Sequence, residues 1–180
     1  MRESRCGFWF VVAVAAVLQA AGCASPSRAE ADKAAIARVI DDNIGWFRDK
    51  DFDRLFGTIT NGPDLFMYQL DEASTIRGFD QFKKYSAGWR NPDVRYAGHR
   101  FTDRQIHLSG AGDVAWFSCR LEDCARVKDG APRCFTTRYT GVLERRNGRW
   151  LLVQQHFSLP AEAVAADWAA RTAHPPASAH

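Results

Sequence analysis

His156 is the residue whose type and setting most directly offer proton chemistry. It lies in the run Arg149 to Ser158, RWLLVQQHFS, whose alternation predicts a strand with Trp150, Leu152, Gln154, His156 and Ser158 on one face. Leu151, Val153, Gln155 and Phe157 fall on the other. An imidazole beside Gln154 and Ser158 can serve as a general acid or base if its pKa is near neutral and substrate can reach it. It can equally serve as a structural hydrogen-bond donor. Arg138, on the preceding run, has the planar fork that grips an anion, or it can pair with an acid between subunits. Tyr68 offers a hydroxyl and Asn43 an amide to a cavity. Each has a plainer reading, Tyr68 as packing and Asn43 as a satisfied core hydrogen bond.

Whether Arg138 and His156 meet depends on how Cys134 to Pro160 folds. Asn147-Gly148 between two apolar-patterned runs predicts a hairpin, because both residues tolerate positive φ. A three-residue loop at Arg146-Asn147-Gly148 with a glycine bulge places Arg138 opposite His156. A two-residue turn places Tyr139 there and turns Arg138 toward Phe157. We take the three-residue loop, which makes His156, Gln154, Arg138, Tyr68 and Asn43 the candidate ligand-binding set, with His156 the candidate catalytic group. Both faces of this hairpin carry large residues, so both must be covered.

The remaining elements follow in order. Ile36, Val39, Ile40, Ile44 and Phe47 recur at helical spacing between Glu30 and Lys50, with Asn43 inside their stripe. Asp51 is placed to cap a short second helix presenting Phe52, Leu55 and Phe56. Leu65 to Leu70 reads as a strand, with Phe66, Tyr68 and Leu70 on one side. Phe79 to Trp89 reads as a third helix that Asn91-Pro92 stops. Long strands are then predicted over Val94 to Leu108, Asp113 to Arg126, Arg133 to Arg145 and Arg149 to Ser158, making a bent antiparallel sheet. Trp46, Trp89, Trp116 and Trp150 read as core and rim, and His99 and His107 are given no chemical role. Ala161 to Arg171 is expected to form a short helix and the end of the chain a disordered tail.

The N-terminus reads as an export signal: Arg2 and Arg5, then the apolar run Phe8 to Leu18. Eleven residues reach only about 16 Å as a helix, too short to span a bilayer. Ala20-Ala21-Gly22-Cys23 resembles a bacterial lipoprotein box, with alanine where leucine is usual. That resemblance implies cleavage before Cys23, a lipid on its thiol, and a location on the periplasmic side of a membrane, the outer one by preference. Ordinary cleavage nearby, giving a soluble periplasmic or secreted protein, is the other reading. The division is then 1–22 signal, 23–30 tether, 31–160 domain, and 161–180 short helix and tail.

Export places Cys119, Cys124 and Cys134 in an oxidising compartment. Counting outward from the Lys128-Asp129-Gly130 turn sets Cys124 opposite Cys134, so a disulfide is expected there, with Cys119 a buried thiol. No histidine or second cysteine pair lies at metal-ligand spacing, and no phosphate loop, nucleophile elbow or cofactor motif is present. A net charge of +3 over 180 residues, without a basic run, does not point to nucleic acid.

Helix, helix, strand, helix and four long strands resemble the SnoaL-like, or nuclear-transport-factor-two-like, superfamily that includes ketosteroid isomerase. Lys50-Asp51-Phe52-Asp53, Arg77-Gly78, Asp113-Val114-Ala115-Trp116, Arg138-x-Thr140, and Gly148-x-Trp150 with His156-Phe157-Ser158 carry the likeness. The last set also resembles the association domain of calcium/calmodulin-dependent kinases. The likeness covers about Ala31 to Pro160. It implies an α+β cone, with three N-terminal helices packed on a strongly curved, mostly antiparallel mixed sheet, and dimerisation through the outer face. The isomerase catalytic set does not map onto this sequence, since no acid matches its positions. The expectation is an exported, lipid-anchored homodimer that binds a small, partly apolar molecule in its cone and meets the membrane only through Cys23. The alternatives are a small isomerase, dehydratase or hydrolase using His156, and a purely structural dimerisation domain.

Overall fold

Helix α1 (Arg28–Gly45) opens with a capping box in which Ser27 and Glu30 satisfy each other's backbone N–H groups. Its apolar stripe buries Ile36 and Ile40 completely. A 3₁₀ turn (Trp46–Arg48) leads to α2 (Phe52–Phe56), capped by the Asp51 carboxylate on the Arg54 N–H. Two short strands, β1 (Phe66–Tyr68) and β2 (Ile76–Arg77), precede α3 (Phe79–Ser86). Four long strands complete the chain: β3 (Val94–Leu108), β4 (Val114–Val127), β5 (Arg133–Arg146) and β6 (Arg149–Ser158). These elements belong to a computed structural model that describes residues 27–162 and 165. The segment read as an export signal, with Cys23, Val164, Trp168 and the expected tail, lies outside the described residues.

The six strands form one sheet in the order β2-β1-β6-β5-β4-β3. All neighbours are antiparallel except β1 and β6, which run parallel and bring β6 to the middle of the sheet. The segment after α2 also docks on β6, with the Thr60 N–H donating to the Leu152 carbonyl and the Leu152 N–H to that of Thr58. The architecture is the expected one: a mixed, mostly antiparallel sheet with its helices on one face. Extra residues in β3, between Tyr96 and Gly98 and between Thr102 and Gln105, break the ladder where a long sheet must bend.

The hairpin differs from expectation. Arg146 pairs with Arg149, so the loop is the two residues Asn147 and Gly148, both at positive φ (50° and 78°). The extra residue sits deeper in the sheet, at Val153: Leu143 pairs with Leu152 but Val142 with Gln154. Beyond it Thr140 faces His156 and Arg138 faces Ser158, which neither turn alone would produce. The bulge also exchanges the faces of β6. Trp150 and Leu152 point into the core before it, and Gln155 after it. Gly141 makes the close packing possible, since a Cβ there would come within 2.6 Å of the Phe117 ring and 2.8 Å of the Gln154 carbonyl oxygen.

β1 is shorter than expected and has the opposite sense, with Met67 buried and Tyr68 on the outer side. Its three residues are anchored by the parallel pairing to β6 rather than by their own length. Cys124 and Cys134 are opposed on β4 and β5 and joined by a disulfide, while Cys119 is a buried free thiol. Replacing Cys134 by Ser should lower unfolding free energy by about 2–3 kcal/mol under oxidising conditions. The same pair of denaturant titrations run in dithiothreitol should coincide.

Candidate functional site

Between the helices and the inner sheet face lies a cavity of about 360 Å³. Its wall is built by strand alternation: Leu121, Asp123 and Ala125 from β4, Phe135 and Thr137 from β5, and Gln155 and Phe157 from β6. The helical side contributes Asn43 from α1, Trp46 and Phe47 from the turn after it, and Phe82 and Trp89 from α3 and its continuation. Leu70 and Phe135, each 48% exposed, mark the mouth.

At the inner end, buried polar groups are connected rather than isolated. Asn43 Nδ2 donates to Thr58 Oγ1 at 2.8 Å, and that hydroxyl donates to the Leu55 carbonyl at 2.6 Å. This fixes Asn43 with Oδ1 as the acceptor of the Tyr139 hydroxyl, 2.9 Å away. Tyr139 Oη also lies 2.8 Å from Gln155 Oε1. One hydroxyl proton cannot serve two oxygens, so the Gln155 amide turns its NH₂ toward the phenol. Donation then runs one way, from Gln155 through Tyr139 and Asn43 to Thr58. Tyr139 is fully buried, stacked on Phe157 (centroids 4.3 Å apart, 10°) and edge-on to Phe117 at 4.8 Å. Burial raises its pKa well above the ordinary phenol value, so it acts as a neutral hydrogen-bonding group.

Asp123 is the charged group on the cavity wall. Burial pushes its carboxyl up to about 6, and the Cys124 backbone N–H offsets only part of that. No described side chain pairs with it. His99 stands directly across the β3–β4 ladder, but its Nδ1 is engaged by the Tyr96 hydroxyl at 3.0 Å. Burial, then the nearby Arg48, holds the His99 pKa below its usual value. The imidazole is therefore engaged by Tyr96 rather than paired with the acid.

Of the five candidates, the structure brings only Asn43 to the cavity, where it is both lining residue and satisfied hydrogen-bonding group. Gln154 and His156 lie on the outer sheet face, because the Val153 bulge exchanges them with Gln155 and Phe157. Tyr68 packs its ring edge-on against His156 on that outer face, centroids 5.9 Å apart. Arg138 is exposed and donates to the Leu159 carbonyl at 3.1 Å. Among the tryptophans, Trp46 and Trp89 line the cavity, Trp150 is core, and Trp116 is half exposed beside His107. Sequence reasoning missed Asp123, Tyr139 and Gln155. A signal for Asp123 was present: it shares strand parity with Ala115, Phe117, Cys119 and Leu121, all inward.

A family model described as "SnoaL-like domain" matches residues 36–162. No curated protein matches the sequence. Among solved structures, the association domain of C. elegans CaMKII is 21% identical, with a TM-score of 0.58 over 72% of this chain and 96% of its own. A putative scytalone dehydratase from Novosphingobium aromaticivorans is 14% identical, with a TM-score of 0.61 over 71% of this chain and 83% of its own. A nuclear transport factor 2-like superfamily protein from Salmonella enterica is 20% identical, with a TM-score of 0.59 over 73% and 93%. At these identities the likeness establishes a shared fold.

The Asp123 carboxyl has a sign-definite effect on stability. Its folded value lies above its unfolded value of 3.8, so the folded chain holds the proton more tightly. Stability from this group is full below the unfolded value and declines as pH rises through about 6. Asp123→Asn should therefore raise unfolding free energy by about 1 kcal/mol at pH 8, a figure reduced for the solvent that reaches the cavity, and by close to nothing at pH 4. Denaturant titrations of both proteins at the two pH values measure the difference.

Proposed function

Because the chain belongs to the SnoaL-like domain family, we propose that it works as an exported, lipid-anchored binding protein for a small, predominantly apolar molecule held in the cavity. The observation that carries this reading is the cavity itself: about 360 Å³, mostly aromatic and aliphatic in its walls, with a few convergent polar groups. That is the usual composition of a ligand site. An open space of this size also argues against a purely structural dimerisation domain, whose interior would be filled.

The proposed address rests on residues 1–23: a charged start, a short apolar run, and Cys23 after small residues. The proposed homodimer rests on the similarity to a CaMKII association domain. It would form through the outer sheet face, where Trp116 stacks on His107 at 5.6 Å and Tyr68 packs on His156.

A second reading, an acid–base enzyme of isomerase, dehydratase or hydrolase type, is favoured by Asp123. A carboxyl near 6 on the cavity wall can both give and take a proton close to neutral pH. The similarity to a putative scytalone dehydratase is compatible with such chemistry. In that case Asp123, rather than His156, holds the proton.

Native mass spectrometry of protein purified from its own host tests these statements together. The expected spectrum is a dimer carrying lipid on Cys23 and a bound small molecule, the latter absent from Ala125→Trp, which fills the mouth. A chain that emerges empty, with no compound raising its melting temperature, would sink the binding reading. Conversion of the recovered compound by wild type but not by Asp123→Asn would move the assignment to the enzyme.

A further inference from the structure

We propose that the ligand of this cavity is a small lipophilic cation, a protonated amine or quaternary ammonium, whose charge pairs with Asp123 while its apolar body rests on the aromatic walls. The inference rests on the cavity being a binding site and specifies the chemistry of what it binds.

Three observations converge. The first is an uncompensated carboxylate. A charge withdrawn from water is ordinarily paired, yet Asp123 receives only a backbone N–H from Cys124. Cationic side chains of the helical side and of β3 are engaged elsewhere. Lys50 donates to the Trp89 and Asn91 carbonyls at 2.6 and 3.0 Å, and contributes nothing to the cavity wall. Arg54 is held by Asp42, and Arg104 by Asp41 at 2.6 Å. His99, opposite Asp123, is bonded to Tyr96 and flanked by Arg48 and Arg54, which oppose its protonation. Within the described structure the carboxylate has no counter-ion of its own.

The second is the wall. Trp46, Phe47, Phe82, Trp89, Phe135 and Phe157 surround the space, and aromatic faces attract cations and repel anions. One of these rings already carries a cation: the Lys50 ammonium sits 4.4 Å from the Phe47 ring centre. The third is position. Asp123 pairs across the β4–β5 ladder with Phe135, which is half exposed at the mouth, so the acid stands beside an aromatic side chain where a ligand would enter.

The rival neutral ligand must either leave the carboxylate facing apolar atoms or bind with the acid protonated. An anion meets repulsion from both the carboxylate and the rings. A cation satisfies both features at once, which decides between the classes.

Three probes of similar shape separate the outcomes on the full-length protein: benzyltrimethylammonium, its carbon isostere neopentylbenzene, and the anion phenylmethanesulfonate. Calorimetry at pH 7.5, with quenching of tryptophan fluorescence as a second readout, should show the cation binding at least about tenfold tighter than the neutral isostere, equivalent to about 1.4 kcal/mol. The sulfonate should not bind. Asp123→Asn should bring the cation to the level of the neutral probe, with its melting curve confirming the fold. Equal binding of cation and neutral probe in the wild type would overturn the cation assignment while leaving the cavity as a binding site. A preference that survives in Asp123→Asn would overturn the role of the carboxylate. Failure of all three probes to bind would overturn both this inference and the binding reading beneath it.

Discussion

One extra residue at Val153 decides what this protein presents to its interior. Without it, strict alternation along β6 would turn Gln154, His156 and Ser158 inward after Trp150 and Leu152, and expel Phe157. With it, Phe157 stacks on Tyr139 and Gln155 joins the buried hydrogen-bond chain. The displaced residue costs local pairing, but it exchanges a histidine and a serine for an aromatic ring in the core. Because β6 lies between β1 and β5, the choice propagates: Tyr68 follows His156 to the outside, and Met67 follows Gln155 inward. The cavity is thus a consequence of a register, and the register is pinned from both sides.

The chain of donors from Gln155 to Thr58 links three elements that are distant in sequence, α1, β5 and β6, through buried groups. Such a network is costly when incomplete and directional when complete. Here it is completed by tyrosine, whose hydroxyl is both donor and acceptor. The polarity of the inner end is therefore fixed by the protein's own groups. At the opposite end of the sheet, Asp32 pairs with Arg145, whose guanidinium lies 4.8 Å from the Trp150 ring centre. The first charge is paired within the protein; that of Asp123 is not.

Much of the architecture was legible because it is written in periodicity and punctuation. Val94–Leu108 and Arg149–Ser158 were delimited by the turn residues flanking them, and the Cys124–Cys134 bond followed from counting away from Asp129. The site was less legible, for a physical reason. Parity along a strand is exact only while the ladder is unbroken, and a bulge is a tertiary event at one residue. The warning lay in the strand itself: Trp150 and Leu152 share one parity with polar Gln154 and His156, whereas Phe157 has the other. That switch in where the large apolar residues fall is what a bulge looks like in sequence. Asn43 faces inward as its place in the helical stripe implies, because a helical stripe has no such failure. Asp123 has no such ambiguity, since its strand pairs with β5 without a register shift from Val114 to Ala125.

The Cys124–Cys134 bond occupies a telling place. It joins β4 to β5 at the position next to Asp123 and Phe135, the pair that forms one lip of the opening. Beyond it the two strands run on only to a short reverse turn, so the bond is the last covalent brace before the ladder ends. Protein made in a reducing cytoplasm would keep its helices and its buried donor chain, yet hold this lip by main-chain hydrogen bonds alone. The folded core and the cavity entrance therefore answer to different chemical environments. A preparation that looks well folded by circular dichroism can still be the wrong one in which to measure what the cavity holds.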